Sequence, residues 1–129
     1  MTKLRNINNS IEKKINNIGC IYVLSSKNNT IISLTDIEGK VKFNISCGSI
    51  GFKNSRKSTS YAAQAAAETL AKKAIDLGYF YVKIKLKGLS FSKESTVRAL
   101  HKFGLNIIQI QDITPIAHNG CRRIKRRRI

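Results

Sequence analysis

Apolar and polar positions alternate in several short runs along the chain, and two longer runs follow a helical period. Gly19 to Ser25 (GCIYVLS) is rich in apolar and β-branched residues and reads as a first strand. Lys27-Asn28-Asn29 reads as a turn, because asparagine tolerates left-handed backbone conformations. Thr30 to Thr35 reads as a second strand, and Asp36 to Gly39 as a second turn. From Lys40 to Ser46, Val41, Phe43 and Ile45 are expected on one face and Lys42, Asn44 and Ser46 on the other. Together these segments predict a three-stranded antiparallel meander.

Cys47 to Thr59 is rich in Gly, Ser, Lys and Arg and reads as a loop. Ser60 to Leu77 then reads as a helix, since AAQAAAETLAKKA has high helix propensity. Thr59 or Ser60 supplies the N-cap oxygen, and Gly78 the stop. So many alanines imply a helix lying close against the sheet. Tyr79 to Lys87 alternates again, with Phe80, Val82, Ile84 and Leu86 opposed to Tyr81, Lys83, Lys85 and Lys87. Gly88 to Phe91 is a loop, and Ser92 is expected to cap a second helix reaching about Phe103. Val97, Leu100 and Phe103 lie on one side of that helix, Gly104 ends it, and Leu105 to Ile113 is the last strand. The series predicts an α/β fold with a mixed five-stranded sheet and helices on its faces.

Length fits one domain, at 129 residues with 42% apolar content. The parts are an N-terminal extension over 1–18, one α/β domain over 19–115 and a basic C-terminal tail over 116–129. Charge changes the picture more. The formal net charge is +17, from 24 Lys+Arg against 7 Asp+Glu, and a compact domain so unbalanced calls for an anionic partner. No apolar run approaches the ~20 residues of a membrane span, and Met1 to Ile18 lacks the continuous apolar segment of a secretory signal. Cys20, Cys47 and Cys121 are an odd, widely spaced set, which fits reduced thiols better than a disulfide framework.

Three segments are candidates for chemistry. In Gly48 to Thr59, Lys53, Arg56 and Lys57 bring positive charge, while Asn54, Ser55, Ser58 and Thr59 bring polar groups just before a helix start. That combination grips phosphate, although the GxxxxGK[ST] order of a nucleotide-binding loop is absent. In Lys87 to Arg98, Lys87 and Lys93 flank a loop entering a helix. The third segment is His118-Asn119-Gly120-Cys121 followed by RRIKRRRI, with six cations in eight residues. It cannot build a core and is expected to be disordered alone. His118 with Cys121 and Cys47 offers only three zinc ligands, and no cofactor is expected. A ribonuclease would need clustered carboxylates, but the first strand has none and Asp36, Glu38, Glu68, Asp76, Glu94 and Asp112 are scattered. Composition alone leaves a free RNA chaperone open.

Two long motifs, GFKNSRKSTSYAAQAAAE (Gly51 to Glu68) and DITPIAHNGCR (Asp112 to Arg122), closely resemble the ribosomal protein S-eleven family of the small subunit. NNTI (Asn28 to Ile31) and KRRR (Lys125 to Arg128) resemble it too, in the same order. The resemblance implies a ribonuclease-H-like fold and no catalysis. It implies binding of small-subunit ribosomal RNA on the platform near the messenger exit channel, beside other small-subunit proteins and possibly close to messenger RNA. The implied RNA-facing residues are Asn28, Asn29, Lys53 to Thr59, and His118, Asn119, Gly120, Arg122, Arg123, Lys125, Arg126, Arg127 and Arg128. Two departures stand out. Lys87 to Ser95 replaces a Gly-Pro-rich loop, which puts close backbone packing there in question. Arg123 and Ile124 replace two prolines, so the tail is expected to be less stiff and to carry one more charge. The Ile, Lys and Asn bias and the short lead before the first strand point to a mitochondrion-encoded protein, with an AT-rich bacterium or a plastid as alternatives.

Overall fold

The computed structural model describes residues 17–129, so most of the expected N-terminal extension lies outside the described residues. Five strands form one sheet in the order β3-β2-β1-β4-β5. They are β1 (Ile18–Ser25), β2 (Thr30–Thr35), β3 (Val41–Ser46), β4 (Tyr81–Gly88) and β5 (Asn106–Asp112). The first three pair antiparallel, while β4 runs parallel to both β1 and β5. The meander and the mixed sheet are as the alternation predicted.

Helix α1 (Ser60–Asp76) joins β3 to β4, and α2 (Ser92–Lys102) joins β4 to β5. Both connections link parallel strands and step across the sheet in the same direction. Right-handed crossovers therefore put both helices on one face. They pack against each other there, so the two helices cover one face of the sheet. Along β1, Ile21 and Val23 point to the helices, next to Ile32 and Leu34 of β2 and Ile84 of β4, all at most 1% exposed. Ala62, Ala63, Ala66, Ala67, Ala71 and Ala74 of α1 are fully buried with Leu70. Methyl-sized side chains let the helix axis lie close to the sheet, as their number suggested.

The ends of α1 follow from local chemistry. Thr59 Oγ1 accepts from Ala62 N–H at 3.3 Å. At the other end Gly78 takes φ +87, while its N–H donates to Ile75 O and that of Tyr79 to Ala74 O. The α2 stop at Gly104 repeats this pattern, with Leu105 N–H donating to Leu100 O. Its start differs from expectation. Phe91 already has helical angles, so Ser92 is the buried first helical residue rather than the cap. The hydroxyl of Ser90 accepts from Ser92 N–H at 3.4 Å instead.

Two residues expected on the inward face are exposed. Val41 (61%) sits on edge strand β3 where the pairing slips opposite Leu34 and Thr35. Phe80 (49%) precedes β4 rather than lying in it. The loop before α1 also holds an unexpected 3-10 turn, Asn54–Ser58.

Candidate nucleic-acid interface

Strand direction decides where the basic segments meet. Strands β1, β3, β4 and β5 all point the same way, because β3 is antiparallel to β2 and β2 to β1. Their carboxyl ends therefore lie along one edge of the sheet. From that edge emerge the β1–β2 turn with Asn28 and Asn29, the loop 47–59, the loop after Gly88, and the tail after Asp112. Both helices also begin there. Open α/β sheets bind ligands beyond the carboxyl ends of their strands, and helix starts add positive potential. The opposite edge carries Asp36, Glu38 and Asp76 instead.

Each segment is held at its root. In the first turn Ser26 Oγ donates to Asn29 O at 2.8 Å, and Asn29 Oδ1 accepts from Thr30 N–H at 2.9 Å. That leaves Asn28 exposed at the tip and Asn29 half-buried. In the second segment the ring of Phe52 meets that of Tyr61 edge-on at 5.9 Å, tying the loop to the first turn of α1. Asn54 has φ +55, a backbone state that asparagine tolerates. Lys53, Arg56 and Lys57 have no acidic partner among the described residues. The hydroxyls of Ser58 and Thr59 donate to Ser55 O (2.6 Å) and Arg56 O (2.7 Å), so they shape the loop, while Ser55 stays exposed.

At the third segment, Gly88 has φ +118, and a Cβ there would overlap the Ser25 carbonyl. Close backbone packing thus persists although the sequence around Gly88 departs from the Gly-Pro pattern. Leu89 (86%) and Phe91 (90%) stand almost fully exposed beside it. The tail leaves the sheet through an anchor. Thr114 Oγ1 accepts from Gly88 N–H at 3.1 Å and donates to Asp112 Oδ1 at 2.6 Å. Lys93 pairs with Asp112 Oδ2 at 3.2 Å, so this cation also fastens the tail's root. The Thr114 hydroxyl and N–H, helped by Lys93, pull the Asp112 carboxyl down to about 2. Beyond it, residues 115–129 are all exposed and without regular secondary structure, with Asn119 at φ +55. His118, Asn119, Gly120, Arg122, Arg123, Lys125, Arg126, Arg127 and Arg128 lie in this stretch.

The metal alternative finds its members apart. Cys47 is buried at the end of β3, where burial pushes its thiol up, whereas Cys121 is exposed in the tail. Among the described residues no three His, Cys, Asp or Glu side chains gather, and no helix is long and apolar enough to cross a membrane.

The family model for Ribosomal protein S11 matches residues 19–128. The chain belongs to that family. It is a structural constituent of the small ribosomal subunit and not an enzyme. Among curated relatives, the small ribosomal subunit protein uS11m of Prototheca wickerhamii is 55% identical over 92% of this chain and 91% of its own length. The uS11m of Marchantia polymorpha is 53% identical over 81% and 84%. The bacterial uS11 of Herminiimonas arsenicoxydans is 50% identical over 86% and 83%. Family membership implies small-subunit ribosomal RNA and neighbouring ribosomal proteins as partners.

Sequence reasoning passed over Lys27 at this edge, and Lys85 and Lys83 further back along β4. Lys27 lies within a turn signal. Lys83 and Lys85 look like the ordinary polar face of a half-buried strand, and the signal for them is lysine at three successive outward positions, 83, 85 and 87.

Proposed function

We propose that the chain binds small-subunit ribosomal RNA on the platform of a mitochondrial small subunit, near the messenger exit channel and within reach of messenger RNA. The observation carrying this reading is the convergence of four polar and basic segments on one sheet edge. The residues assigned to RNA are Asn28, Asn29, Lys53 to Thr59, Lys87, Lys93, and the tail residues His118 to Gly120, Arg122, Arg123 and Lys125 to Arg128. The tail orders as it threads between RNA segments, and counterion release drives binding. Specificity comes from RNA shape and unpaired nucleotides. The mitochondrial assignment is supported by the two relatives named uS11m, and a bacterial home is the alternative that the 50% identical bacterial relative favours. The folded unit over 19–115 presents the loops, and 116–129 supplies the flexible grip.

The test is a density map of ribosomes purified from mitochondria of the source organism after a high-salt wash. The chain is expected on the small-subunit platform with its carboxyl edge against RNA. Its absence from those particles, or an edge facing solvent, refutes the proposal.

A further inference from the structure

The helices leave the other face of the sheet bare among the described residues. Parallel ladders are almost always covered on both faces, yet β1, β4 and β5 form a parallel ladder with one side open. That side does not look made for water alone. The parallel register sets Cys20, Tyr22 and Leu24 of β1 directly beside Lys83, Lys85 and Lys87 of β4. Leu24 is 41% exposed, and Lys85 Nζ lies 5.2 Å from the centre of the Tyr22 ring. None of the three lysines has an acidic partner among the described residues.

Three hollows also lie along this surface. One of about 240 Å³ beside Lys83 and Lys85 shares Lys85 with one of about 250 Å³ between Lys85 and Lys87. The latter shares Leu24 and Lys87 with an apolar groove of about 380 Å³. Leu24, Leu89 and Pro115 wall this groove, and Lys27 stands with Lys87 at its rim. It lies at the root of the tail, so RNA gripped by the tail is delivered to it.

We propose that this face is a track for single-stranded RNA, deepening the RNA-binding reading on which it rests. Alternate residues of a strand stand about 7 Å apart, so Lys83, Lys85 and Lys87 form a ladder of cations along which a nucleic-acid backbone runs. Tyr22 and Leu24 lie beneath as a platform for base faces, and the groove takes an unstacked base. A duplex hides its base faces and offers only phosphates and groove edges. A single strand presents both backbone and π-surface, which is what a lysine ladder over an aromatic and aliphatic floor matches. A protein partner would need acidic side chains spaced to meet three lysines.

The test titrates the full chain with three RNA probes at several salt concentrations. These are a 12-nucleotide oligouridylate, the same oligomer with a central abasic residue, and a 12-base-pair RNA duplex. For the variant K83Q/K85Q, the single-strand salt slope is expected to fall by about 1.4, from ~0.7 per phosphate. Duplex binding and Tm stay unchanged, because these side chains lie away from the tail. The intact oligomer is expected to bind the native chain about tenfold tighter than the abasic one, and Leu24→Ser with Leu89→Ser to erase that preference. An unchanged single-strand slope, or an equal loss on duplex, overturns the track while leaving RNA binding intact. The same holds if K83Q/K85Q impairs subunit incorporation without altering RNA binding, which assigns the face to a protein. Failure of the native chain to bind any probe overturns the RNA-binding reading as well.

Discussion

Removing residues 122–129 separates binding charge from folding. The segment carries Arg122, Arg123, Lys125, Arg126, Arg127 and Arg128, all exposed and none paired with an acid among the described residues. If each neutralises one RNA phosphate, it contributes ~0.7 to the slope of log K against log salt on single strands and ~0.9 on duplex. Losing six should lower the slope by about four to five. Between 50 and 200 mM salt, the native chain should therefore lose roughly 300- to 1,000-fold more affinity for ribosomal RNA than the truncated one. Stability should hardly move, because the core is closed by Leu105 and the tail's root is fastened at Thr114, both upstream of the cut. Exposed positions typically change stability by no more than ~0.5 kcal/mol. The assay is filter binding to small-subunit RNA across that salt range, with Tm measured in parallel. A slope change below about two would show that the tail's cations do not sit on phosphates. A large drop in Tm would show that the tail belongs to the folded unit.

Three further substitutions probe the scaffold. Gly88→Ala places a methyl at φ +118 against the Ser25 carbonyl; left-handed strain of ~1–2 kcal/mol plus a forced backbone shift should lower Tm by more than about 10 °C in differential scanning fluorimetry, and an unchanged Tm would contradict the close approach. Thr59→Ala removes the α1 cap and should cost about 1 kcal/mol in urea unfolding. Thr114→Val takes away the main cause of the low Asp112 pKa. A carboxyl whose folded pKa is depressed adds stability above its ordinary value near 4, and that stability is lost as pH falls towards 2. The gap between native and variant in urea unfolding should thus be widest at neutral pH and narrow between pH 4 and 2; a gap that widens on acidification would reverse the assigned sign.

Much of this was legible in the sequence because its signals were local and redundant. An apolar, β-rich run marks β1, period-two alternation marks β3 and β4, and the alanine run between Thr59 and Gly78 marks α1 at both ends. What escaped depended on neighbours. Val41 alternates correctly with Phe43 and Ile45, but it stands at the start of edge strand β3, where the pairing with β2 slips and leaves it outside the core that Ile45 joins. Ser92 has the residue type of a cap, yet the helical angles of Phe91 moved the cap position back by one residue. The basic segments could each be seen in the sequence, but not their meeting on one edge, which depends on strand direction. Nor could alternation tell a wet polar face from a lysine ladder, since both read Lys-x-Lys-x-Lys.

The placement of acids explains how a chain of net charge +17 still folds. Glu94 pairs with Arg98 at 2.7 Å, Asp112 with Lys93, Asp36 with Lys42 at 3.6 Å, and Glu38 with Lys40 at 2.8 Å. Surface pairs of this kind are worth little individually, so their importance lies in position. They quiet cations on the meander and at the start of α2, where repulsion would bear directly on the packed sheet. Lys53, Arg56, Lys57 and the six tail cations are left without acids on segments tied to the sheet only at their roots, whereas Lys83, Lys85 and Lys87 are left so on β4 itself. Mutual repulsion among the former spreads a loop or extends a tail without opposing the burial of Ile21, Leu34 or Leu70. With Asp36, Glu38 and Asp76 on the far edge, the remaining field is lopsided and turns the basic edge towards a polyanion before contact. The same arrangement makes folding nearly indifferent to the tail's charge, and for that reason the truncated chain should stay folded while its grip on RNA weakens.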